Sequence, residues 1–266
     1  MTRILLKSLA LTVLSSHGVA MAADAAPASP NALSSNVSLV SNYVHRGISQ
    51  SGGKGAVQGG FDYAHSSGLY AGAWGSSISW ISDKGLAINA GLELDTYAGL
   101  KGHLDGDITY DVGFIRYNYP TGYYVTPRPV NYAKADTNEM YGAIGYKWIT
   151  AKYFYSTGDT FGVYRAKGTN YIDLSASYPI PDTGITLGAH YGKQTYKGAA
   201  AGYLAAAGAD PSYSDFRLSA AKDFSGLVLG LAYSRTNAST ADGAFYKVLN
   251  NDLGKATVVL SLSRSM

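Results

Sequence analysis

Three segments near the end of the chain alternate between large apolar residues and small or polar ones. The apolar members lie two residues apart and are Phe216, Leu218 and Ala220; Leu227, Leu229, Leu231 and Tyr233; and Val258, Leu260 and Leu262. A period of two places successive side chains on opposite faces of a pleated sheet. The pattern therefore predicts strands with one apolar face and one small or polar face.

The same unit recurs along the whole chain. Strands are predicted near residues 35–45, 55–64, 69–80, 86–98, 107–118, 136–147, 149–156, 169–179, 184–195, 212–223, 226–236 and 255–265. Each is about ten residues long, which is the length that a tilted bilayer-spanning strand requires. The sequence thus predicts an all-β fold, a closed antiparallel up-and-down transmembrane β-barrel of about 12 strands, over residues 34–266.

The connections between these segments sort by length. Short links near 65–68, 99–106, 148–149, 180–183 and 223–226 alternate with longer ones near 46–54, 119–135, 157–168, 196–211 and 237–254. Outer-membrane barrels have short periplasmic turns and long external loops. Only residues 81–85 are short where a long loop is expected.

Alternation alone does not separate a membrane barrel from a soluble sandwich, which buries its apolar face instead. The loop sorting, the carboxylates and glycines of the polar face, and aromatics near strand ends favour the membrane barrel. These aromatics are Tyr63, Trp148, Tyr178, Tyr191 and Tyr233. The interpretation requires Leu92, Leu174, Leu229 and Leu260 to face outward while Glu93 and Asp173 face inward.

The N-terminus resembles an export signal. Residues 1–22 combine Arg3 and Lys7, a short apolar run and an Ala20-Met21-Ala22 cleavage site, so they predict a cleaved signal peptide. Residues 23–33 are expected to form a flexible mature N-terminus. The chain contains 21 basic and 18 acidic residues and no cysteine. Removing the signal leaves one excess positive charge, which gives no support for nucleic-acid binding, and the later sequence contains no apolar run long enough for a membrane helix.

Two stretches carry a resemblance to a known family. Residues 41–51 read Ser-Asn-Tyr-Val-His-Arg-Gly-Ile-Ser-Gln-Ser, and residues 68–76 read Gly-Leu-Tyr-Ala-Gly-Ala-Trp-Gly-Ser. Together they resemble a proteobacterial family of outer-membrane porins named for a Gly-Cys-Trp motif. The likeness is close over residues 41–120 and implies an outer-membrane barrel with a channel role. Ala73 stands where the cysteine of that motif would be, so a role for its thiol is absent.

If the polar face lines the lumen, charged residues of both signs meet there. The predicted lumen and solute path comprises Arg46, Asp62, Glu93, Asp95, Asp111, Glu139, Lys152, Asp173, His190, Asp215 and Arg217, and Asp107 and Lys147 have the same parity. Acidic residues outnumber basic ones, which favours a modest preference for cations. The alternative is that these charges pair across neighbouring strands and fill a narrow barrel. Asp215 and Arg217 lie two residues apart on one face and are expected to brace the interior.

The sequence gives little support for catalysis or metal binding. Of the mature histidines, only His45 has lipid-facing parity with serines nearby, at Ser41 and Ser49, and no G-x-S-x-G motif is present. His190 is expected to point inward. The histidines do not cluster as metal ligands. We therefore expect no enzyme activity, no metal and no cofactor.

The sequence favours a porin-like channel for passive diffusion of small hydrophilic solutes, in contact with outer-membrane lipid and lipopolysaccharide. The alternative is a structural or adhesive barrel with a plugged lumen whose external loops bind a partner. Two features leave details open. Residues 196–211 contain an alanine-rich patch that either constricts the pore or lies over it as a lid, and the chain ends on Met266 rather than on an aromatic residue.

Overall fold

The computed structural model describes residues 30–104, 106–123, 133–248 and 251–266. The predicted signal peptide and residues 23–29 lie outside the described residues. The strands are β1 (Asn31–Val40), β2 (Val44–His45), β3 (Ile48–Ser49), β4 (Ala56–His65), β5 (Leu69–Ser77), β6 (Leu92–His103), β7 (Ile108–Asn118), β8 (Thr137–Tyr146), β9 (Ile149–Ser156), β10 (Asn170–Ile180), β11 (Ile185–Thr195), β12 (Tyr213–Phe224), β13 (Leu227–Thr236), β14 (Lys247–Val248), β15 (Asn251–Asp252) and β16 (Thr257–Ser265); the helices are α1 (Trp80–Asp83) and α2 (Ala199–Ala206).

Twelve of these strands form one closed antiparallel barrel. The order around the wall is β1, β16, β13, β12, β11, β10, β9, β8, β7, β6, β5 and β4. Strand β1 closes the barrel because it pairs with β4 on one side and with β16 on the other. Closure leaves no unpaired sheet edge, so the wall strands satisfy one another's backbone groups. The predicted fold class is confirmed.

The two faces of the wall differ as the alternation requires. Leu92, Leu174, Leu229 and Leu260 lie on the outer face and are 43–55% exposed. Glu93, between two outward residues, is 1% exposed. The strand-end aromatics are also on the outside. The apolar parity therefore covers the exterior, and the polar parity fills the interior.

Tyrosine rings packed over glycines fill much of the interior. Tyr97 pairs in register with Gly72, and Tyr70 pairs with Gly99. A Cβ atom added to Gly99 would lie 2.5 Å from the hydroxyl oxygen of Tyr70. Since the rings occupy the space above these glycines, side chains there would overlap them. This packing explains why both residue types are frequent on the inner face.

Two predicted strands have different limits in the structure. Strand β1 begins at Asn31, inside the segment expected to be flexible, because residues 31–33 pair with β4. It ends at Val40, and the chain then leaves the wall. Strand β6 begins at Leu92 rather than at residue 86, because Asn89 has a left-handed φ of 58° that an extended strand does not allow. Residues 78–91 are therefore a long loop, and the one exception to the loop sorting disappears.

The long connections all emerge at one end of the barrel, which we call the long-loop end. Their described residues are 41–55, 78–91, 119–123 and 133–136, 157–169, 196–212, and 237–248 and 251–256. The alanine-rich patch forms helix α2, whose Ala200, Ala201 and Leu204 are buried. Among the described residues, neither helix has both the length and the apolar character that crossing a membrane demands.

Candidate functional site: a hairpin inside the barrel

The first long connection turns back into the barrel. Residues 44–49, which we call the inserted hairpin, form a two-stranded ribbon in which His45 pairs with Ile48. Asn42 holds its base, because its side-chain oxygen accepts hydrogen bonds from Ser49 at 2.7 Å and from Ser51 at 3.1 Å. The backbone N–H of Tyr43 donates to the hydroxyl of Ser51 at 2.9 Å. The stretch that carries the family resemblance therefore builds a compact insert.

The tip of the inserted hairpin is the dipeptide Arg46-Gly47. Both residues have positive φ, 46° and 79°, as a two-residue type I′ turn requires. Gly47 lies against the barrel wall, where an added Cβ would come within 2.6 Å of the Cβ of Asp215 and 2.5 Å of a methyl carbon of Thr236. Only glycine fits this contact without displacement, so the hairpin is seated closely against β12 and β13.

Arg46 contacts side chains of four neighbouring wall strands, β8 to β11, inside the barrel. Its guanidinium forms a double contact with Glu139 of β8, at 2.6 Å and 3.2 Å. It also donates to the side-chain oxygen of Gln194 of β11 at 2.9 Å. The ring centroids of Tyr171 and Phe154 lie 4.3 Å and 4.6 Å from its central carbon.

This arrangement excludes water from the ion pair. The side chains of Arg46 and Glu139 are 2% and 0% exposed. Glu139 accepts a further bond from Ser156 at 3.1 Å. Arginine suits such a site because its planar fork binds a carboxylate with two parallel bonds. The tip of the inserted hairpin therefore packs against wall residues of strands β8 to β13.

His190 lies between two of the predicted lumen carboxylates. Its Nε2 is 2.9 Å from Asp215, and its Nδ1 is 3.2 Å from Asp173. Asp215 accepts a second bond from the Tyr171 hydroxyl at 2.9 Å. Asp173 accepts a bond from the Ser175 hydroxyl at 2.5 Å. The sequence placed His190, Asp173 and Asp215 on the inner face, and the structure brings all three into one cluster.

Two further predicted lumen residues form a second pair nearer the short turns. The Lys152 ammonium lies 3.8 Å from Asp111 and 3.8 Å from the ring centroid of Tyr141. Asp111 accepts a bond from the Tyr70 hydroxyl at 2.6 Å, and that hydroxyl also contacts the hydroxyl of Tyr141. The wall charges at this level therefore neutralise one another.

Glu93 and Asp95 are two predicted lumen acids without a basic group at ion-pair distance in the described part of the chain. They are 1% and 2% exposed. Glu93 accepts a hydrogen bond from the Tyr43 hydroxyl at 2.9 Å. Its other oxygen, and one oxygen of Asp95, have no hydrogen-bond partner among the described residues. Asp62 is half-buried and accepts a bond from the Tyr97 hydroxyl at 2.6 Å.

Three sequence expectations need correction. His45 does not face lipid but is buried within the inserted hairpin, because the chain has already left the wall at Val40. Asp107 and Lys147 lie in turns at the short-turn end, where their 3.9 Å ion pair is exposed. Arg217 does not brace Asp215; it lies half-buried on β12, since Asp215 binds His190 instead.

Above the hairpin, at the long-loop end, lies a cavity that we call the vestibule. Its cavity volume is about 40 Å³, and it opens to solvent on one side. Its lining comprises His45, Arg46, Ile48, Gln50, Trp80, Lys84, Phe161, Gln194, Tyr196, Tyr213, Phe245, Tyr246 and Leu253. Five of the long connections or their adjoining strands contribute to it, so it forms only when the loops are assembled.

A protein-family model matches residues 24–266 and describes its members as bacterial protein of unknown function (Gcw_chp). The chain belongs to this family. The resemblance drawn from residues 41–120 is thereby confirmed over nearly the whole chain. Ala73, at the position of the eponymous cysteine, lies on the exposed outer face of β5. Among curated proteins, none matches the chain.

Solved structures provide likeness in shape rather than in sequence. The KdgM porin is 5% identical over 87% of this chain and 97% of its own, with a TM-score of 0.50. OccK5 (OpdH) of Pseudomonas aeruginosa is 14% identical, covering 86% of this chain and 63% of its own, with a TM-score of 0.41. An anion-selective porin from Comamonas acidovorans is 11% identical, covering 89% and 99%, with a TM-score of 0.36. At 5% identity, the match to the KdgM porin shows a shared fold alone.

Several residues of the site were not found from the sequence. Gln194, Phe154 and Tyr171 surround Arg46 but are scattered over three strands, and no local pattern connects them to the hairpin. Lys84 lies in a segment that the alternation assigned to a short turn. Gly47 was the available signal, because a tight hairpin turn needs positive φ and glycine adopts it readily.

Proposed function

We propose that this protein is an outer-membrane channel for small hydrophilic solutes whose lumen is closed, in the conformation described, by the inserted hairpin. The observation that carries the proposal is a two-faced wall around a polar interior in which a single short hairpin fills the centre. The exposed apolar exterior suits lipid, and the aromatic side chains near strand ends suit the membrane interfaces. On this proposal the long-loop end is extracellular.

On this proposal the outer face of the barrel contacts lipid and lipopolysaccharide. Outer-membrane lipid would surround the apolar belt, and Arg116, Lys193 and Arg235 lie towards the long-loop ends of their strands. Long basic side chains there reach phosphate groups of lipid or lipopolysaccharide. Arg116 already binds Asn118 and Asn138, which supports an anchoring role shared with the wall.

The way in which the hairpin is held favours a channel over a permanently filled barrel. Hydrogen bonds and one ion pair bind Arg46 to the wall, and polar bonds of this kind are replaceable by water. The complete burial of the ion pair favours the alternative, a plugged barrel whose loops bind a partner. The two functions differ in whether solute crosses the membrane once the hairpin is displaced.

The charge selectivity of the channel would depend on lumen carboxylates that have no basic partner. Glu139, Asp111, Asp173 and Asp215 each contact a basic group, and Glu93 and Asp95 do not. Because these two buried carboxyls are neighbours on one face of β6 and do not both ionise, we attribute the expected preference for small cations to one negative charge that they share. Reversal potentials in a salt gradient measure it, and the Glu93→Gln/Asp95→Asn variant is expected to lose it. Anion selectivity of the wild-type channel would end the idea.

Hydrolytic chemistry is not proposed, although Ser175, His190 and two aspartates lie together. A general base must have a free ring nitrogen to accept the proton of its nucleophile. The Nδ1 of His190 lies 3.1 Å from the hydroxyl oxygen of Ser175, but both ring nitrogens also face carboxylates, and the Ser175 hydroxyl donates to Asp173 at 2.5 Å. The cluster is therefore arranged to hold charge rather than to activate a nucleophile.

Swelling of liposomes in small sugars tests the channel. Residues 44–49 are replaced by six alternating glycine and serine residues, which keeps the loop length and removes Arg46. We expect slow swelling with the wild-type protein and fast swelling with this variant. The control is the same replacement of residues 199–204 in helix α2, which is expected to leave swelling unchanged. If neither the wild type nor the hairpin variant admits sugars, the plugged barrel replaces the channel.

A further inference from the structure

The charged side chains that line the vestibule are all basic. Arg46 and Lys84 line it, and no aspartate or glutamate is among the described residues that do so. Glu139 balances Arg46 from below. Lys84 has no carboxylate within ion-pair distance among the residues described. The uncompensated charge of the cavity is therefore one ammonium group.

Buried N–H groups in the same cavity also have no acceptor. The indole Nε1 of Trp80 and the Nε of Arg46 are both buried without a hydrogen-bond partner in the described part of the chain. Trp80 is 6% exposed and Arg46 is 3% exposed. Buried donors of this kind are nearly always satisfied in folded proteins. A ligand that brings acceptor oxygens would satisfy them.

The walls around these donors are flat and apolar. The Lys84 ammonium lies 3.9 Å from the ring centroid of Phe245 and 5.5 Å from those of Trp80 and Tyr246. Phe161, Tyr196 and Tyr213 complete the aromatic lining. Small-molecule sites commonly combine such apolar walls with a few polar groups that fix orientation.

From this combination we infer that the vestibule binds a small organic monocarboxylate with a flat or aromatic body. The carboxylate would lie against Lys84 and the free N–H of Trp80, and the body would pack between the aromatic rings. Burial lowers the pKa of Lys84 to about 7, and a bound anion would favour its charged form. The inference goes beyond the proposed function: it names a ligand class for the vestibule and is separate from the ion preference of the lumen.

Calorimetric titration of the refolded full chain with benzoate tests the site. Three matched probes separate the contributions: acetate has the carboxylate without the ring, benzyl alcohol has the ring without the charge, and benzylammonium reverses the charge. We expect benzoate to bind and each of the other three to bind at least about tenfold more weakly, as the loss of one charge-assisted contact or of the ring contacts implies. Tighter binding of benzylammonium would overturn the inference.

Two lysine variants then locate the site. Lys84→Met keeps the length of the side chain and removes its charge, so it is expected to weaken benzoate binding by about 10- to 100-fold. Lys255→Met changes an exposed lysine in another long connection and is expected to bind as the wild type does. Equal binding by both variants, or no benzoate binding by the wild-type protein, would refute the site.

Because binding is measured without transport, the two proposals fail separately. Benzoate binding by a protein that never conducts would support the vestibule site and exclude the channel. Conduction without benzoate binding would leave the channel in place and exclude the site.

Discussion

The contact between Arg46 and Glu139 provides the sharpest prediction about closure. Both side chains are almost fully buried, and their closest atoms are 2.6 Å apart. Arg46→Met leaves the Glu139 carboxylate inside the barrel with only Ser156 and Tyr117 as donors. Removing one partner of a buried ion pair costs about 3–5 kcal/mol. Since about 1.4 kcal/mol is a factor of ten, the docking equilibrium of the hairpin should shift by about 100-fold to about 4,000-fold.

Single-channel recordings in planar bilayers measure this shift as open probability. Arg46→Met and Glu139→Leu are each expected to open the channel more often than the wild type. The double variant leaves no unpaired charge at this contact and is expected to return most of the way to closure, because apolar replacement of a whole buried pair is often neutral. Arg217→Met, an interior arginine on β12, serves as the control and should behave as the wild type does.

The double variant distinguishes a latch from general damage to the fold. If it opens as often as the sum of the two single effects implies, Arg46 and Glu139 do not act as a pair. If all three variants remain as closed as the wild type, the ion pair does not hold the hairpin and the reasoning is refuted.

Three other predictions concern particular residues. Gly47→Ala should raise open probability because the new methyl group overlaps Asp215. The control is Gly53→Ala, which has a similar positive φ and nothing within 4 Å of the added methyl group, so it reports backbone strain alone. Equal effects of the two variants would exclude the overlap as the cause. Gly99→Ala should destabilise the barrel by about 1–3 kcal/mol through overlap with Tyr70, measured by the urea midpoint, and an unchanged midpoint would contradict the packing. The lowered pKa of Lys84, about 7 instead of 10.5, predicts that its acylation rate rises through pH 7. Between pH 7 and pH 10.5 the unfolded chain binds more protons at Lys84 than the folded chain does, so the free energy of unfolding should rise with pH across that window. Acylation of Lys84 that begins only near pH 10 would contradict the burial of its ammonium group.

The wall of the barrel could be predicted because its signal is local. Strand β9 was predicted with the limits that the structure has, and strands β10 to β13 were predicted within one residue at each end. Each wall residue must face either lipid-like surroundings or the crowded lumen, so the two-residue period persists along the strand. The orientation of Glu93, Asp95 and Asp173 follows from the same rule.

The inserted hairpin could not be predicted in this way. Residues 41–45 continue the alternation of β1, yet the chain turns inward after Val40. Whether it does so depends on partners far away in sequence: Glu139 lies 93 residues from Arg46, and Gln194 lies 148 residues away. Parity identified Arg46 and Glu139 as interior residues but gave no information about which interior residues meet.

The vestibule was missed for a related reason. Lys84 and Trp80 lie in residues 78–91, where Leu86, Ile88 and Ala90 imitate a strand. In the structure this segment is a loop containing the one-turn helix α1, and Ala87 and Ala90 are buried by tertiary contacts. Short apolar alternation is compatible with either outcome, since only long-range packing decides between them.

The orientation of the wall, on which the hairpin and the lumen both depend, has a direct test. The chain contains no cysteine, so single cysteines can be placed in turn at residues 213–224 and spin-labelled in lipid vesicles. The account predicts that collisions with oxygen, which concentrates in lipid, peak at even positions such as 216 and 218 and fall at odd ones such as 215 and 217. Peaks at the odd positions, or no two-residue period, would contradict it.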